Sequence, residues 1–337
     1  MERRKGNALK RSLAFACVFW VMVAGSLGAE TITHTDKTGR AVNIPVPVNR
    51  VVDYQTIELI PALDIWDKIV GIGTWAYEND LMRATMPDIE KIIPPVAGSG
   101  GDLNMEFLLK LKPDLVIIAS SKTESIRFME ANGISVLAVF PYNLKELYDV
   151  IRLHGRLFEK AQKVEASIAA MESIFNLITD RVSKIQDREK KKVLWLGGKP
   201  TSVACGIGIT NDVIRLVGGI NPASSIIQGY GFADVSLEQI VVWNPDVIFI
   251  SGYTSCTAQD ILANPQWRFI KAVKEGKVYK GPARWSTWSP RLAPIALWAV
   301  MKIYPESFKD VDFERVADGF FMKTYGIPYT KITRIDN

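Results

Sequence analysis

The sequence predicts an α/β protein with two doubly wound lobes, each built on a central parallel sheet, and a long helical segment between them. Two observations support this prediction. Short, continuous apolar runs alternate with helical patterns in both halves of the chain, which is typical of strands buried on both faces of a parallel sheet. In addition, the stretch "NMEFLLKLKPDLVII" at 104–118 is repeated in form as "SLEQIVVWNPDVIFI" at 236–250. We therefore expect each lobe to contain the same structural unit.

Residues 1–29 predict a cleaved secretory signal peptide. They contain five basic residues, an apolar run from about Leu13 to Ala24, and small residues up to Ala29. The apolar run is short for a bilayer span, and later segments lack ~18 uninterrupted apolar residues, so a soluble mature chain is expected. Cys17 lies inside the run without the Leu-small-small pattern of a lipid-attachment site, so lipid anchoring there is not expected.

The mature chain is close to electrical neutrality. Cleavage near Ala29 removes five of the 41 basic residues and one of the 36 acidic residues. A nucleic-acid-binding function therefore loses its main electrostatic support. Cys205 and Cys256 remain after cleavage, and the sequence leaves open whether they form a disulfide or two separate thiols.

The predicted strands divide the mature chain into two lobes and a connecting segment. The first half contains apolar runs at 50–54, 68–73, 113–120 and 134–140, and the second half contains them at 192–197, 245–251 and 277–282. Apolar residues recur at intervals of three and four from Leu144 to Ile185, which predicts a long amphipathic helical stretch with a break near Gly155. The predicted units are an N-terminal lobe at 30–143, a linking helical segment at 144–187 and a C-terminal lobe at 188–337.

The repeated stretch predicts a helix, a turn and a buried strand. Asn104 and Ser236 are suitable helix N-caps, and the Pro-Asp pair that follows each helix marks the start of the strand. Glu106 and Glu238 fall in the first turn of the two helices, where a carboxylate complements the helix dipole. That role alone could explain them. Two carboxylates at matching positions would also suit a partner with two-fold symmetry.

Several segments together resemble the periplasmic solute-binding proteins of ABC importers for ferric siderophores, haem and cobalamin. They are "DKTGRAVNIPVPVNRVV" at 36–52, "TIEL" at 56–59, both copies of the repeat, "NDVIRLVGGINPAS" at 211–224 and "WRFIKAVKEGKVYKGP" at 267–282. The resemblance implies two lobes tied by a rigid helix, a ligand cleft between them, a periplasmic location and a monomeric carrier. It also implies that Glu106 and Glu238 dock onto arginines of the importer's permease dimer.

Residues that follow the predicted strands are the candidates for ligand binding, because ligands of α/β lobes bind beyond the carboxyl ends of the strands. The chosen set is aromatic and basic, which suits a planar or chelated anionic ligand. It consists of Tyr54, Trp75, Tyr77, Tyr230, Tyr253, Arg284, Trp285, Trp288 and Arg291. For each aromatic residue, packing at the rim or in the core is the alternative, and Arg291 could instead pair with an internal carboxylate.

A carrier of a metal chelate is the function that the sequence favours, with a ferric siderophore as the first candidate ligand. Cobalamin or haem comes second, and an oxyanion of the molybdate or tungstate type comes third. His34 and His154 are the only histidines in the chain, so a site that captures a bare metal ion is not expected. No resident cofactor and no catalytic residues are predicted. An extracytoplasmic enzyme that processes chelates on a similar fold is the alternative from another functional class.

Overall fold

The computed structural model describes residues 30–97, 103–225, 229–282 and 285–332. The predicted signal peptide, with Cys17, lies outside these ranges. Among the described helices, none combines the length and the apolar character needed to cross a bilayer. His34 lies in a strand and His154 in a buried part of a helix.

In the described part of the chain, the N-terminal lobe is built on a five-stranded parallel sheet. A two-stranded antiparallel hairpin, β1 (Glu30–Thr35) and β2 (Ala41–Val46), precedes it. The sheet strands are β3 (Val51–Asp53), β4 (Ile69–Gly73), β5 (Pro95–Ala97), β6 (Leu115–Ala119) and β7 (Ser135–Val139). Their order is β5-β4-β3-β6-β7, and all neighbouring pairs are parallel. The predicted strands of this half are thus confirmed.

The C-terminal lobe has a sheet with the same number of strands but a mixed direction. Its strands are β8 (Val193–Leu196), β9 (Ser202–Ala204), β10 (Phe232–Asp234), β11 (Val247–Ile250) and β12 (Val278–Lys280). Their order is β10-β9-β8-β11-β12. The pairs β8–β11 and β11–β12 are parallel, whereas β8–β9 and β9–β10 are antiparallel. The prediction of a parallel sheet is therefore confirmed for the predicted strands β8, β11 and β12. Strands β9 and β10, at the other edge, run antiparallel to their neighbours.

Thirteen α-helices lie in the described part of the chain. They are α1 (Leu59–Leu63), α2 (Asp80–Thr85), α3 (Ile89–Ile92), α4 (Met105–Leu111), α5 (Thr123–Ala131), α6 (Leu144–Leu157), α7 (Ala161–Val182), α8 (Ile209–Leu216), α9 (Leu237–Trp243), α10 (Ala258–Leu262), α11 (Lys271–Lys274), α12 (Leu292–Ile303) and α13 (Phe313–Tyr325). The 22-residue α7 connects the lobes.

The linking segment consists of two helices, and the break between them falls after the predicted position. Helix α6 continues through Gly155 to Leu157, and Glu159 then takes a left-handed conformation with φ of 56° before α7 begins. Gly155 has a packing role, because a Cβ atom there would lie 2.6 Å from a methyl group of Val164 in α7. The glycine lets α6 and α7 approach closely.

The inner strands β6, β8 and β11 are buried on both faces, which is why they are apolar along their length. In β8, Val193 and Trp195 face a large core that includes α7, α12 and α13, while Leu194 and Leu196 face a second core on the other side. The N-terminal sheet alternates in the same way between the large core and a third one. A single large core thus extends across both lobes.

The repeated stretch forms the same unit in each lobe. Asn104 accepts a hydrogen bond from the backbone N–H of residue 107 at 3.0 Å and caps α4, and Ser236 caps α9 in the same way at 3.2 Å. The carboxylates of the Pro-Asp pairs also have matching roles. Asp114 accepts a bond from the N–H of Arg50 at 2.9 Å, just before β3, and Asp246 accepts one from Lys192 at 2.8 Å, just before β8. Each aspartate fixes the start of the neighbouring strand.

Candidate functional site

A cavity of about 470 Å³ lies between the lobes, at the carboxyl ends of β3, β4, β6, β11 and β12. Its position agrees with the rule that ligands of open α/β sheets bind beyond the carboxyl ends of the strands. The lining residues come from both lobes. They are Tyr54, Gln55, Thr56, Ile57, Glu58, Trp75, Lys122, Tyr253, Ser286, Thr287, Trp288 and Ser289.

Four of the predicted aromatic residues form the walls of this cavity. Tyr54 and Trp75 meet edge to face in the N-terminal lobe, with ring centroids 4.2 Å apart. Trp288 packs edge to face on Phe140 across the lobe boundary, with centroids 4.4 Å apart. Tyr253 is 56% exposed at the side of the C-terminal lobe. The walls therefore offer ring faces and edges from both lobes to a ligand.

Polar groups complete the lining, and most of them are hydroxyl or amide groups. Among the described lining residues Lys122 is the only cation and Glu58 is the only carboxylate. The Glu58 side chain is 1% exposed and accepts bonds from protein donors. It accepts from the amide of Asn79 at 2.8 Å and from the N–H of Ser286 at 3.1 Å. Glu58 thus belongs to the base of the cavity rather than to its open surface.

Behind Glu58 lies a buried group of charges that joins the two lobes, here called the interlobe ion cluster and consisting of Glu58, Asp80, Trp285, Ser289 and Arg291. The guanidinium of Arg291 donates Nε to Glu58 at 3.0 Å and Nη1 to Asp80 at 2.6 Å. The indole N–H of Trp285 donates to Asp80 at 3.0 Å. The ring of Trp285 also packs on the guanidinium of Arg291, with its centroid 4.7 Å from the guanidinium carbon. Ser289 donates its hydroxyl to Glu58.

The interlobe ion cluster holds Arg291 in a fully buried position. Burial alone would disfavour its charge, but Glu58 and Asp80 outweigh that effect and raise the pKa of Arg291 above its ordinary value. Arg291 is 0% exposed and Trp285 is 2% exposed. Neither side chain lines the cavity, which corrects the prediction that both face the ligand. The alternative expected for Arg291, a pair with an internal carboxylate, is what the structure contains.

The remaining predicted residues have separate positions. Tyr77 donates its hydroxyl to the carbonyl of Ile93 at 2.8 Å and is not among the lining residues. Tyr230 is 60% exposed and stacks on Tyr142 of the other lobe, with centroids 4.4 Å apart, outside the cavity lining. Arg284 lies outside the described residues. Cys205 and Cys256 are both free thiols.

Sequence reasoning missed the short polar residues of the site. Thr56, Ser286, Thr287 and Ser289 line the cavity, but isolated hydroxyl residues in loops carry little signal of their own. Glu58 could have been predicted, because it lies between Ile57 and Leu59 in the "TIEL" segment, five residues after a buried strand, and a carboxylate buried among apolar residues needs a partner.

A second buried polar chain lies beneath the cavity and contains Asp53, Thr56 and His154. Asp53 Oδ2 and Thr56 Oγ1 are 2.9 Å apart, and Thr56 Oγ1 is 2.9 Å from His154 Nε2. His154 Nδ1 lies 2.8 Å from the carbonyl oxygen of Val150. Burial raises the pKa of Asp53 to about 6 and lowers the pKa of His154 to about 4. Both groups are therefore uncharged in mildly acidic solution.

The two glutamates of the repeated stretch lie on the surface, away from the cavity lining. The Glu106 side chain is 81% exposed and pairs with Lys110 one turn later at 2.7 Å. Glu238 is exposed in the first turn of α9. Hydrogen bonds from the backbone N–H of Glu238 itself and from Ser236 lower the pKa of Glu238, so it is negatively charged at neutral pH. Both carboxylates are accessible to a partner.

Comparison with known proteins gives consistent results. The family model described as "Periplasmic binding protein" matches residues 51–285. Molybdate-binding protein MolA of Haemophilus influenzae is 28% identical over 95% of this chain and 97% of its own length, and iron(3+)-hydroxamate-binding protein FhuD of Bacillus subtilis is 24% identical over 76% and 80%. The solved structure of Helicobacter pylori CeuE with nickel and histidine has a TM-score of 0.80 and 25% identity, covering 90% of this chain and 100% of its own. The chain therefore belongs to the periplasmic binding protein family, whose members are the solute-binding components of ABC importers.

Proposed function

We propose that this protein binds a metal chelate, with a ferric siderophore as the first candidate, and delivers it to an ABC importer. The observation that supports this proposal is the aromatic lining of the cavity by Tyr54, Trp75, Tyr253 and Trp288. Its volume of about 470 Å³ lies within the range of ~300–1,000 Å³ that is usual for small-molecule sites. Rings supply flat apolar area for the organic part of a chelate, and the hydroxyl groups and Lys122 can bind its oxygen atoms.

An oxyanion such as molybdate is the second candidate, and the similarity to MolA over nearly the whole chain favours it. A tetrahedral oxyanion is small and is recognised by several converging hydrogen-bond donors. The described cavity wall offers Lys122 and the hydroxyl groups of Ser286 and Thr287 for that purpose, but its aromatic area would have no function toward such an ion. The aromatic lining is the reason that we propose a chelate as the first candidate.

The ligand is best identified by native mass spectrometry, with metal analysis, of protein purified from its own host. A retained ligand would give both its mass and its metal. Calorimetric titration with a ferric trihydroxamate, a ferric catecholate, cobalamin, haemin and molybdate then ranks the classes. Tight binding of molybdate with no binding of any chelate would reject the first candidate in favour of the second.

Replacing Trp288 or Tyr253 with Ala is expected to weaken binding of the identified chelate about tenfold or more, because each change removes ring contacts with the ligand. Isothermal titration calorimetry measures the change. Phe269→Ala is the matched control, because Phe269 is 57% exposed, as exposed as Tyr253, and is not among the lining residues. If all three variants bind as the wild type does, the chelate binds elsewhere.

We also propose that Glu106 and Glu238 dock onto the permease. The proposal is supported by their matching positions in the two lobes, since both are exposed in the first turn of a helix capped in the same way. A permease dimer offers two equivalent surfaces, and two charges on one rigid body would bind them jointly. Neither side chain lines the cavity, so docking and ligand binding should be separable by mutation.

The double variant Glu106→Ala with Glu238→Ala is expected to lower the apparent affinity for the reconstituted importer about tenfold or more, with ligand affinity unchanged. Each single variant should have a smaller effect, and replacement with Lys a larger one, because like charges would then face each other. Stimulation of the importer's ATPase activity is the measurement. Glu306→Ala is the control, since Glu306 is 88% exposed and pairs with Lys309 three residues later, much as Glu106 pairs with Lys110 four residues later. If the double variant stimulated the ATPase activity as the wild type does, the two glutamates would only complement the dipoles of their helices.

A further inference from the structure

Trp75 on the cavity wall lies directly on the Cα atom of Gly73, two residues earlier at the end of β4. A Cβ atom built on Gly73 would lie 2.1, 2.3 and 2.4 Å from three atoms of the six-membered ring of Trp75. No carbon atom can approach a ring so closely. The space above Gly73 is therefore available to the indole only because this residue has no side chain.

The backbone of Gly73 does not itself require glycine. Its φ of −78° and ψ of 149° are ordinary extended values that any residue adopts. The absence of a side chain at this position consequently matters for Trp75 and not for the course of the strand. Gly73→Ala is thus a substitution that can move one ring of the cavity wall without straining the backbone.

The direction of that movement follows from the neighbours of the ring. Tyr54 packs edge to face on Trp75 with centroids 4.2 Å apart, and Tyr54 is only 5% exposed, so this side is closed. The cavity is the side on which Trp75 borders open space. A methyl group on Gly73 would push the indole toward the cavity and reduce the width available to a ligand.

We propose that Gly73 is a specificity-determining residue, which sets the width of the cleft, and so the size of the ligand that it admits, by letting Trp75 lie back against its own strand. This inference rests on the proposed function as a carrier of a chelate. A chelate with a bulky organic part needs the full width between Trp75 and Trp288. A small oxyanion does not.

The test compares Gly73→Ala with the wild type, using a ferric trihydroxamate and molybdate as probes. We expect binding of the trihydroxamate to weaken about tenfold or more, the scale of overpacking a filled site, while binding of molybdate stays within about threefold. The position of the ring is read independently from the ¹⁹F NMR resonance of Trp75 in protein labelled with 5-fluorotryptophan, assigned with Trp75→Phe. That resonance should shift in Gly73→Ala.

Two control variants separate this effect from a general disturbance. Gly197→Ala would bring a Cβ atom to 2.7 Å from the ring of Phe232, which does not line the cavity, and Gly198→Ala meets nothing within 4 Å. Both should bind the trihydroxamate as the wild type does. In a Trp75→Ala background, Gly73→Ala should have no further effect, because the residue through which it acts is gone.

An unshifted Trp75 resonance, or an equal loss of affinity from Gly73→Ala in the Trp75→Ala background, overturns the inference. If the wild-type protein binds no chelate at all, the proposed function fails but the inference is still decided. In that case a crystal structure of Gly73→Ala with Trp75 moved into the cleft supports the role of Gly73, and one with the ring still over residue 73 overturns it.

Discussion

Arg291→Ala is expected to lower the free energy of unfolding by about 3–5 kcal/mol, because it leaves two carboxylates without their buried cation. The side chains of Glu58 and Asp80 are 1% and 12% exposed, so water can replace little of what they lose. Urea denaturation, followed by tryptophan fluorescence and circular dichroism, measures the change. The loss should be large because the interlobe ion cluster joins α1 and α2 of one lobe to the loop before α12 of the other.

Arg181→Ala is the matched control for this prediction. Arg181 forms a two-pronged pair with Asp310, at 2.6 and 2.8 Å, but Asp310 is 67% exposed. A pair at the surface contributes little to stability, because water screens its charges. The triple variant Arg291→Met, Glu58→Gln and Asp80→Asn should recover much of the loss, because it leaves no charge buried. A cost for Arg291→Ala no greater than that for Arg181→Ala would mean that water reaches the carboxylates after all.

The fold was largely predictable because its strands carry a strong local signal. Six of the seven predicted strands are mostly buried, so each appears in the sequence as an apolar run, whereas Tyr279 and Lys280 of β12 are partly exposed. Strands β1 and β2 were missed because neither appears as a continuous apolar run. The residues of β1 are mostly exposed, and those of β2 alternate between exposed and buried. Strands β5, β9 and β10 have three residues each, as do the predicted strands β3 and β12, so length alone does not explain why they were missed.

The candidate site was predictable in place but not in the direction of each side chain. The rule of the carboxyl strand ends located the loops that line the cavity, and four predicted aromatic residues face it. Within the segment 285–291, however, Trp288 faces the cavity while Trp285 and Arg291 turn to carboxylates of the other lobe. Those partners lie more than 200 positions away in sequence, at separations of 205 and 233 residues. No local pattern records such a pairing.

The same limit applied to His154, which the helical pattern alone gave no reason to connect to the cleft. Its partner Thr56 is 98 residues away. The chain of atoms that the two residues form with Asp53 can be analysed by counting protons. The carbonyl of Val150 can only accept, so His154 Nδ1 must carry a proton. Two contacts then remain, from Nε2 to the Thr56 hydroxyl and from that hydroxyl to Asp53, and the hydroxyl has one proton for both.

One further proton therefore completes the chain, on either Asp53 or His154 Nε2. The raised pKa of Asp53, about 6, and the lowered pKa of His154, about 4, place it on Asp53. Above pH 6 the Asp53–Thr56–His154 group lacks this proton, and in one of its two contacts two lone pairs face each other. Asparagine at position 53 would supply the missing hydrogen permanently, since its NH₂ group donates to Thr56 and its oxygen accepts from the N–H groups of residues 55 and 56.

Asp53 and His154 together are expected to change the free energy of unfolding of the wild-type protein little between about pH 4 and 6.5, because their effects are opposite. The pKa of Asp53 is about 6 in the folded state, against an ordinary value of 3.8. Its contribution to the free energy of unfolding is therefore present at low pH and is lost as the pH rises through 6. The pKa of His154 is about 4 in the folded state, against an ordinary value of 6.5. The histidine therefore destabilises the fold as the pH falls from 6.5 to 4. Each shift corresponds to about 3 kcal/mol.

Single substitutions should therefore reveal opposite pH slopes, which is the sharpest test of the buried chain. Asp53→Asn leaves the histidine effect alone, so its free energy of unfolding should fall by about 2–3 kcal/mol between pH 6.5 and 4, and it should exceed that of the wild type at pH 7–8. His154→Phe leaves the aspartate effect alone, so its free energy of unfolding should instead rise as the pH falls over the same range. Urea denaturation at half-unit pH intervals measures both slopes, and the ¹⁵N chemical shifts of the His154 ring report its charge directly. Parallel slopes in the two variants, or an imidazolium at position 154 at pH 6, would show that the proton resides on His154 and that Asp53 is ionised beneath the cleft.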